Sequence, residues 1–145
     1  MSTINYTRAQ LMDALFGLTK TTWEANTSGL ELHFENQDEA RPNPPAMFAR
    51  AELAHAFSDI VSLGAPGHGV RMNRRFGSLI IQIFVPSGTG VFEAGEVADA
   101  MALAFESATF NGGLRIEGAS INEIGSDGTY WQLNVLVEFQ YDRVN

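Results

Sequence analysis

The stretch Pro86-Ser87-Gly88-Thr89-Gly90 follows a strongly β-prone run, Ile80–Val85, and leads into an alanine-rich run with helical spacing. Strand, glycine loop and helix together outline a phosphate-binding site. A phosphate-gripping loop, however, needs a lysine after its last glycine to draw in the anion. Here Val91, Phe92 and Glu93 follow Gly90, and a carboxylate at the helix start repels phosphate. A dinucleotide fingerprint needs three glycines at a set spacing in a parallel unit, and Gly88, Gly90 and Gly95 do not supply it. The stretch reads as a corner: Pro86 ends the strand, the glycines permit the turn, and Thr89 or Gly90 caps the helix.

Other chemistries find as little support. His33, His55 and His68 lie in three separate segments, with neither an HxxxH nor an HExxH pattern. No G-x-S-x-G elbow presents a serine nucleophile, and Ser126-Asp127-Gly128 has the composition of a hairpin turn. Nothing singles out a carboxylate pair among the 17 acidic residues. Without a cysteine, disulfides, thiolate nucleophiles, thiolate zinc sites and iron–sulfur clusters are excluded. The expectation is a protein that is not an enzyme, with no catalytic residue, no cofactor and no metal.

The remaining polar signal is Arg71, Arg74 and Arg75, a basic cluster in a chain of net charge −8. Nucleic-acid binding favours an overall basic charge and aromatic platforms, and this cluster has neither. A salt-bridging or interface role fits it better, because the weakly hydrated guanidinium suits protein contacts. Eight of the nine basic residues are arginines, and charged residues make up only 18% of the chain. Both features suit a surface that meets another protein.

The elements that position these residues follow from periodicity, and 145 residues suit one domain, residues 1–145. Thr7 and Gln10 form a capping box, with Tyr6 able to staple to Leu11. Leu11, Ala14, Leu15 and Leu18 then make a helical stripe, expected to fade near Thr19–Trp23. Leu30–Phe34 alternates as a short strand, and Glu35–Pro45 is a polar loop. Met47–Ile60 is ambiguous: its alanines and the spacing of Leu53, Phe57 and Ile60 favour helix. Gly64–Gly69 is a turn, and Leu79–Val85 a strand. A second helix spans about Val91–Ala108, buries Ala94, Ala98, Met101 and Phe105, and is kept thin by Gly95, Ala98 and Ala102 so that it can lie close to a sheet. Leu114–Ile124 is a strand with a bulge at Gly118, Gly125–Gly128 a hairpin turn, and Trp131–Tyr141 a half-buried antiparallel strand. Ile80, Phe84 and Leu136 point away from the main apolar stripe. With a single helical layer, either another part of the chain covers them or a neighbouring subunit does, and the second is the favoured expectation. The start Met1–Tyr6 has no secretory character, and no apolar run approaches the ~20 residues of a membrane span.

With the elements in place, the chain resembles a family of small bacteriophage tail-terminator, or tail-completion, proteins. The resemblance rests on FVPSGTG at 84–90, the ADAMALAF helix at 98–105 and GTYWQLNVLVEFQYD at 128–142. It extends upstream through FARAELAHAF and a glycine-bearing hairpin to an arginine-containing return into LIIQIFVP, so residues 47–142 take part. The resemblance implies that Met47–Ser58 is a strand, against its propensity, paired with the LIIQIFVP strand. It implies an α+β fold: an antiparallel sheet of four to five strands with two main helices packed on one face. It further implies a homo-oligomer, a hexameric ring in the virion at the tail–head junction. Such a ring meets the tail-tube protein below and the head–tail connector protein above, with DNA passing through and no membrane involved. The acidic composition suits such a passage, because it repels phosphate. The candidate interface residues are Arg71, Arg74, Arg75, Ile80, Phe84 and Leu136, and Glu93 or Glu96 of a neighbour could receive an arginine. Two other readings compete: another head–tail joining protein of the same phage, and a small-molecule-binding or enzymatic α+β domain, which would need a convergent polar pocket.

Overall fold

The computed structural model describes residues 7–35, 42, 45–63, 71–110 and 113–144. Two helices, α1 (Arg8–Asn26) and α2 (Phe92–Ser107), accompany five strands: β1 (Leu32–Phe34), β2 (Phe48–Leu63), β3 (Arg71–Pro86), β4 (Arg115–Ser126) and β5 (Tyr130–Val144). The strands form one sheet in the order β1-β2-β3-β5-β4. All neighbours are antiparallel except β1 and β2, which run parallel. The fold is α+β, as expected, with the short β1 as an unforeseen parallel edge.

Central strand β3 sets the two faces. It pairs with β5 without interruption from Met72↔Val144 to Pro86↔Tyr130, so side chains alternate strictly between faces along both strands. Leu79, Ile81, Ile83 and Val85 share one face with Leu133, Val135, Val137, Phe139 and Tyr141, and all nine are buried. Both helices pack there: Leu11, Leu15 and Trp23 of α1 and Ala94, Val97, Ala98, Met101 and Phe105 of α2 belong to the same core cluster. Each large apolar side chain taken out of water contributes about 1.5–3 kcal/mol, so this face carries most of the stability.

Helix α1 begins as its sequence dictates. The Thr7 hydroxyl accepts from the Gln10 N–H at 3.1 Å, and the Gln10 amide oxygen accepts from the Thr7 N–H at 3.0 Å. The staple expected from Tyr6 lies outside the described residues. The helix does not fade at Thr19 but runs on to Asn26. The buried Thr19 hydroxyl donates to the Leu15 carbonyl at 2.8 Å, so the β-branched residue carries no unmet polar group. Trp23 is buried, and its indole N–H donates to the Leu30 carbonyl at 2.9 Å, tying the helix end to the approach of β1.

The ambiguous alanine-rich run is strand β2. Ala49, Ala51 and Leu53 face the core, opposite Ile83, Ile81 and Leu79, while Phe48, Arg50 and Glu52 face the other way. Its helical propensity is outweighed by a ladder to β3 that continues, with two register shifts, to Leu63↔Arg71. Helix α2 matches its expected span, but its N-cap is Val91, with no side-chain cap bond. Thr89 instead donates its hydroxyl to the Pro86 carbonyl at 2.7 Å. Gly95 does not bring the helix close to the sheet, since a Cβ there would meet nothing within 4 Å. The irregularity in β4 falls between Ile116 and Gly118, as expected, and a second follows between Glu123 and Gly125. The turn before β5 is held by the Asp127 carboxylate, which accepts from the N–H groups of Thr129 and Tyr130 at 2.9 and 2.8 Å.

Gly77 is where the sheet tolerates no side chain. The Phe139 ring lies over it, and an added Cβ would sit 2.7 Å from Phe139 Cζ and 2.6 Å from the Ala54 carbonyl oxygen. Gly77→Ala is expected to lower the unfolding free energy by about 1–3 kcal/mol through overpacking. Urea denaturation measures it, and an unchanged midpoint would refute the close approach.

Candidate functional site

The second face of the sheet has neither helix on it. Its residues lie in cross-strand rows fixed by register. The first row holds Phe48, Phe84 and Gln132, the next Arg50, Gln82 and Asn134, and the third Glu52, Ile80 and Leu136. Phe84 stacks on Phe48 with ring centroids 4.7 Å apart and planes at 13°. Phe48 meets Tyr130 edge-on at 5.2 Å and the His33 ring at 6.2 Å. Phe84 therefore spends one face of its ring on an aromatic cluster within the chain, while Ile80 and Leu136 stand beside each other, half-buried, in the row of Glu52. Ile124, 57% exposed, borders the Phe84 end of this face from edge strand β4.

The arginines separate. Alternation along β3 puts Arg74 on the uncovered face and Arg75 on the helix-bearing face. Arg74 lies directly across from Asp142 and donates from Nε to its carboxylate at 3.0 Å. That hydrogen bond, with the carboxylate's charge, raises the Arg74 pKa above its ordinary value. Arg115 approaches the same carboxylate at 3.7 Å, so one acid serves two guanidinium groups. Arg75 Nε is buried with no hydrogen-bond partner among the described residues. The Arg71 side chain lies outside the described part of the structure, as do those of His55 and His68. The three arginines are thus not one patch, and the partners of Arg74, far off in sequence, carry no local signal.

Strands β2 and β3 have 16 residues each, about 50 Å when extended, whereas the 16 residues of α2 span only about 24 Å. The Arg74–Asp142 pair sits toward the end of the sheet where Met72 pairs with Val144.

The outer surface of α2 is the other feature that sequence reasoning left aside. At 100° per residue, Phe92, Glu96, Asp99, Leu103 and Glu106 fall within one narrow arc opposite the buried stripe. Phe92 is 79% exposed and Leu103 65%. The helix contains no basic residue, and Glu106 sits in its last turn, where the helix dipole disfavours a negative charge. A helical wheel would have shown this ridge.

The turn that resembled a phosphate loop borders a cleft of about 380 Å³ lined by Pro45, Met47, Val85, Pro86, Thr89, Phe92 and Glu93, among others. Among the described residues Glu93 is its one charged lining residue, and none of them supplies a cation for a phosphate. Gly88 and Gly90 adopt φ of +89° and +85°, which is the turn's requirement. Among the described residues no group of acidic and histidine side chains is arranged to hold a metal ion. His33 instead lies 3.8 Å from Glu31. No described helix is long and apolar enough to cross a membrane.

No family model matches the chain, and no curated protein matches it. A solved structure, of a chain named only by a sequence label, is similar to it with a TM-score of 0.58 at 19% identity. The match covers 94% of this chain and 96% of that one. At that identity the likeness shows the fold alone.

Asp142→Asn removes the charge that holds Arg74 and Arg115. Faster amide exchange is expected across 72–76 and 140–144, with the helix-bearing core unaffected. Equal exchange in both proteins would mean that the backbone ladder alone secures this end of the sheet.

Proposed function

We propose that this chain is a structural, ring-forming tail protein, a tail terminator that caps the phage tail tube. The observation that carries this reading is the two-layer build: one sheet face buried under both helices, the other bearing neither helix while presenting Ile80, Phe84 and Leu136. Apolar side chains arrayed on such a face call for a protein partner. Identical copies can supply it, and a closed ring of head-to-tail contacts gives every subunit the same two neighbours. The motif resemblance through residues 84–105 and 128–142 gives the assembly its setting.

In this reading the ring is a hexamer seated on the last layer of tube protein. It stops further addition by occupying the surface that the next tube subunit would use, and its other side receives the head–tail connector. The work is steric, and no step consumes a substrate. The net charge of −8 lets DNA pass without adhering, because phosphate and acidic walls repel each other within a Debye length.

Light scattering or native mass spectrometry of the purified chain, alone and with tail tubes, is expected to show a hexamer, and electron microscopy a ring at the tube end. The double variant Ile80→Asp, Leu136→Asp is expected to keep its circular dichroism spectrum and lose the assembly. A wild-type chain that stays monomeric beside tail tubes, or a double variant that assembles normally, would overturn the reading.

A further inference from the structure

Both outer edges of the sheet are open, and they fit each other. We infer that edge strand β4 of one copy pairs with the open edge of β2 in the next copy, so that one antiparallel sheet runs through adjacent copies. This inference rests on the ring reading above and names its joint.

The β2 edge is open because β1 is short. β1 pairs with β2 only from Ala49 to Ala51, while β2 runs on to Leu63. The Glu35 carboxylate accepts from the Leu53 N–H at 3.4 Å, and among the described residues no strand lies beside β2 beyond that point. On the far side of the sheet, β4 pairs with β5 alone. A bare edge is a row of backbone donors and acceptors ready to pair with another strand, and monomers commonly blunt it with lysine or proline. Neither residue occurs between Glu52 and Leu63, nor in β4.

Strand direction follows from the topology. Strands β2, β3, β5 and β4 alternate in direction, so the first and last of them run opposite ways. Rotation about a ring axis along the strands preserves direction. It therefore sets β4 of one copy antiparallel to β2 of the next, with the helices of both copies on the same side. The two edges lie on opposite sides of the subunit, which a repeating heterologous contact requires.

Length and register agree as well. β4 has 12 residues, as many as β2 has beyond Ala51. Each strand carries two extra residues against its inner neighbour: Ala56 and Val61 in β2, Glu117 and Ile124 in β4. One register leaves all four of these unpaired and keeps the two-residue alternation of both strands in step. It runs from Ser126 against Leu53, through Glu123 against His55 and Ser120 against Asp59, to Ile116 against Leu63. Within this ladder no acid is set against an acid. The row of Ile80, Leu136 and Ser120 continues into the row of Asp59 and Arg74 of the next copy, so the apolar points of the uncovered face lie in a band that crosses the joint.

The chain has no cysteine, which makes a directed cross-link clean. Directly opposed residues of antiparallel strands lie within disulfide reach. Asp59→Cys and Ser120→Cys chains, mixed and oxidised, are expected to form a disulfide-linked pair, while neither does so alone. In parallel, assembly of the wild-type chain is expected to slow amide exchange at least about tenfold along 53–63 and 116–126, at the N–H groups directed away from β3 and β5. A disulfide formed by either chain alone, mixed chains that assemble without one, or unchanged exchange at both edges would overturn this joint and leave the ring reading standing. A wild-type chain that does not associate even beside tail tubes would overturn both.

Discussion

Two helices can cover only one face of a five-stranded sheet, and that shortage governs the rest of the molecule. The uninterrupted pairing of β3 with β5 decides which face is covered, because a slip of one residue would turn Leu79, Ile81 and Ile83 outward and Ile80, Gln82 and Phe84 inward. Register is therefore pinned by the burial energy of the helix-bearing face, and the composition of the other face is left free for other duties. A face built only for water would carry polar residues at nearly every position. This one mixes Arg50, Gln82 and Asn134 with Phe84, Ile80 and Leu136.

Construction around the core follows from the same economy of layers. Small side chains at Ala49, Ala51, Ala94 and Ala98 fill the core where larger ones already come from β3, β5 and α1. Gly77 is bare because the Phe139 ring occupies the space above it. The β3–α2 and β4–β5 turns meet at one end of the sheet, where the Ser87 N–H donates to the Thr129 carbonyl at 2.9 Å and the two hydroxyls of Ser87 and Ser126 lie 2.9 Å apart. At the other end β3 stays paired on both sides, out to Leu63↔Arg71 and Met72↔Val144.

Among the described residues, chemistry of the kind that marks enzymes is scattered rather than gathered. The histidine whose side chain is described, His33, joins an aromatic cluster. Thr89, the hydroxyl nearest the apparent phosphate loop, bonds its own turn. Glu93, Glu96, Asp99 and Glu106 all lie on α2, which has no basic residue. Arg75 Nε and Gln82 Oε1 are buried without a hydrogen-bond partner among the described residues, one on each face of the sheet.

Local pattern determined much of this chain. The capping box at Thr7 and Gln10, the stripe of α2, the alternation of β5, the irregularity near Gly118 and the turn at Asp127 were all legible, because each depends on residues within a few positions of one another. Tertiary structure alone decided the rest. The helical propensity of the alanine-rich segment that became β2 yielded to a ladder supplied by β3, and α1 outran its threonines because packing of Trp23 outweighed their preference. β1 lies parallel to β2, a pairing no local signal encodes. The arginine cluster, contiguous in sequence, was divided by the two-residue period of the strand, and Arg74 was claimed by an acid 68 positions away. Sequence neighbours share a face or a partner only when the pairing register says so, and register is set by the burial of the whole sheet.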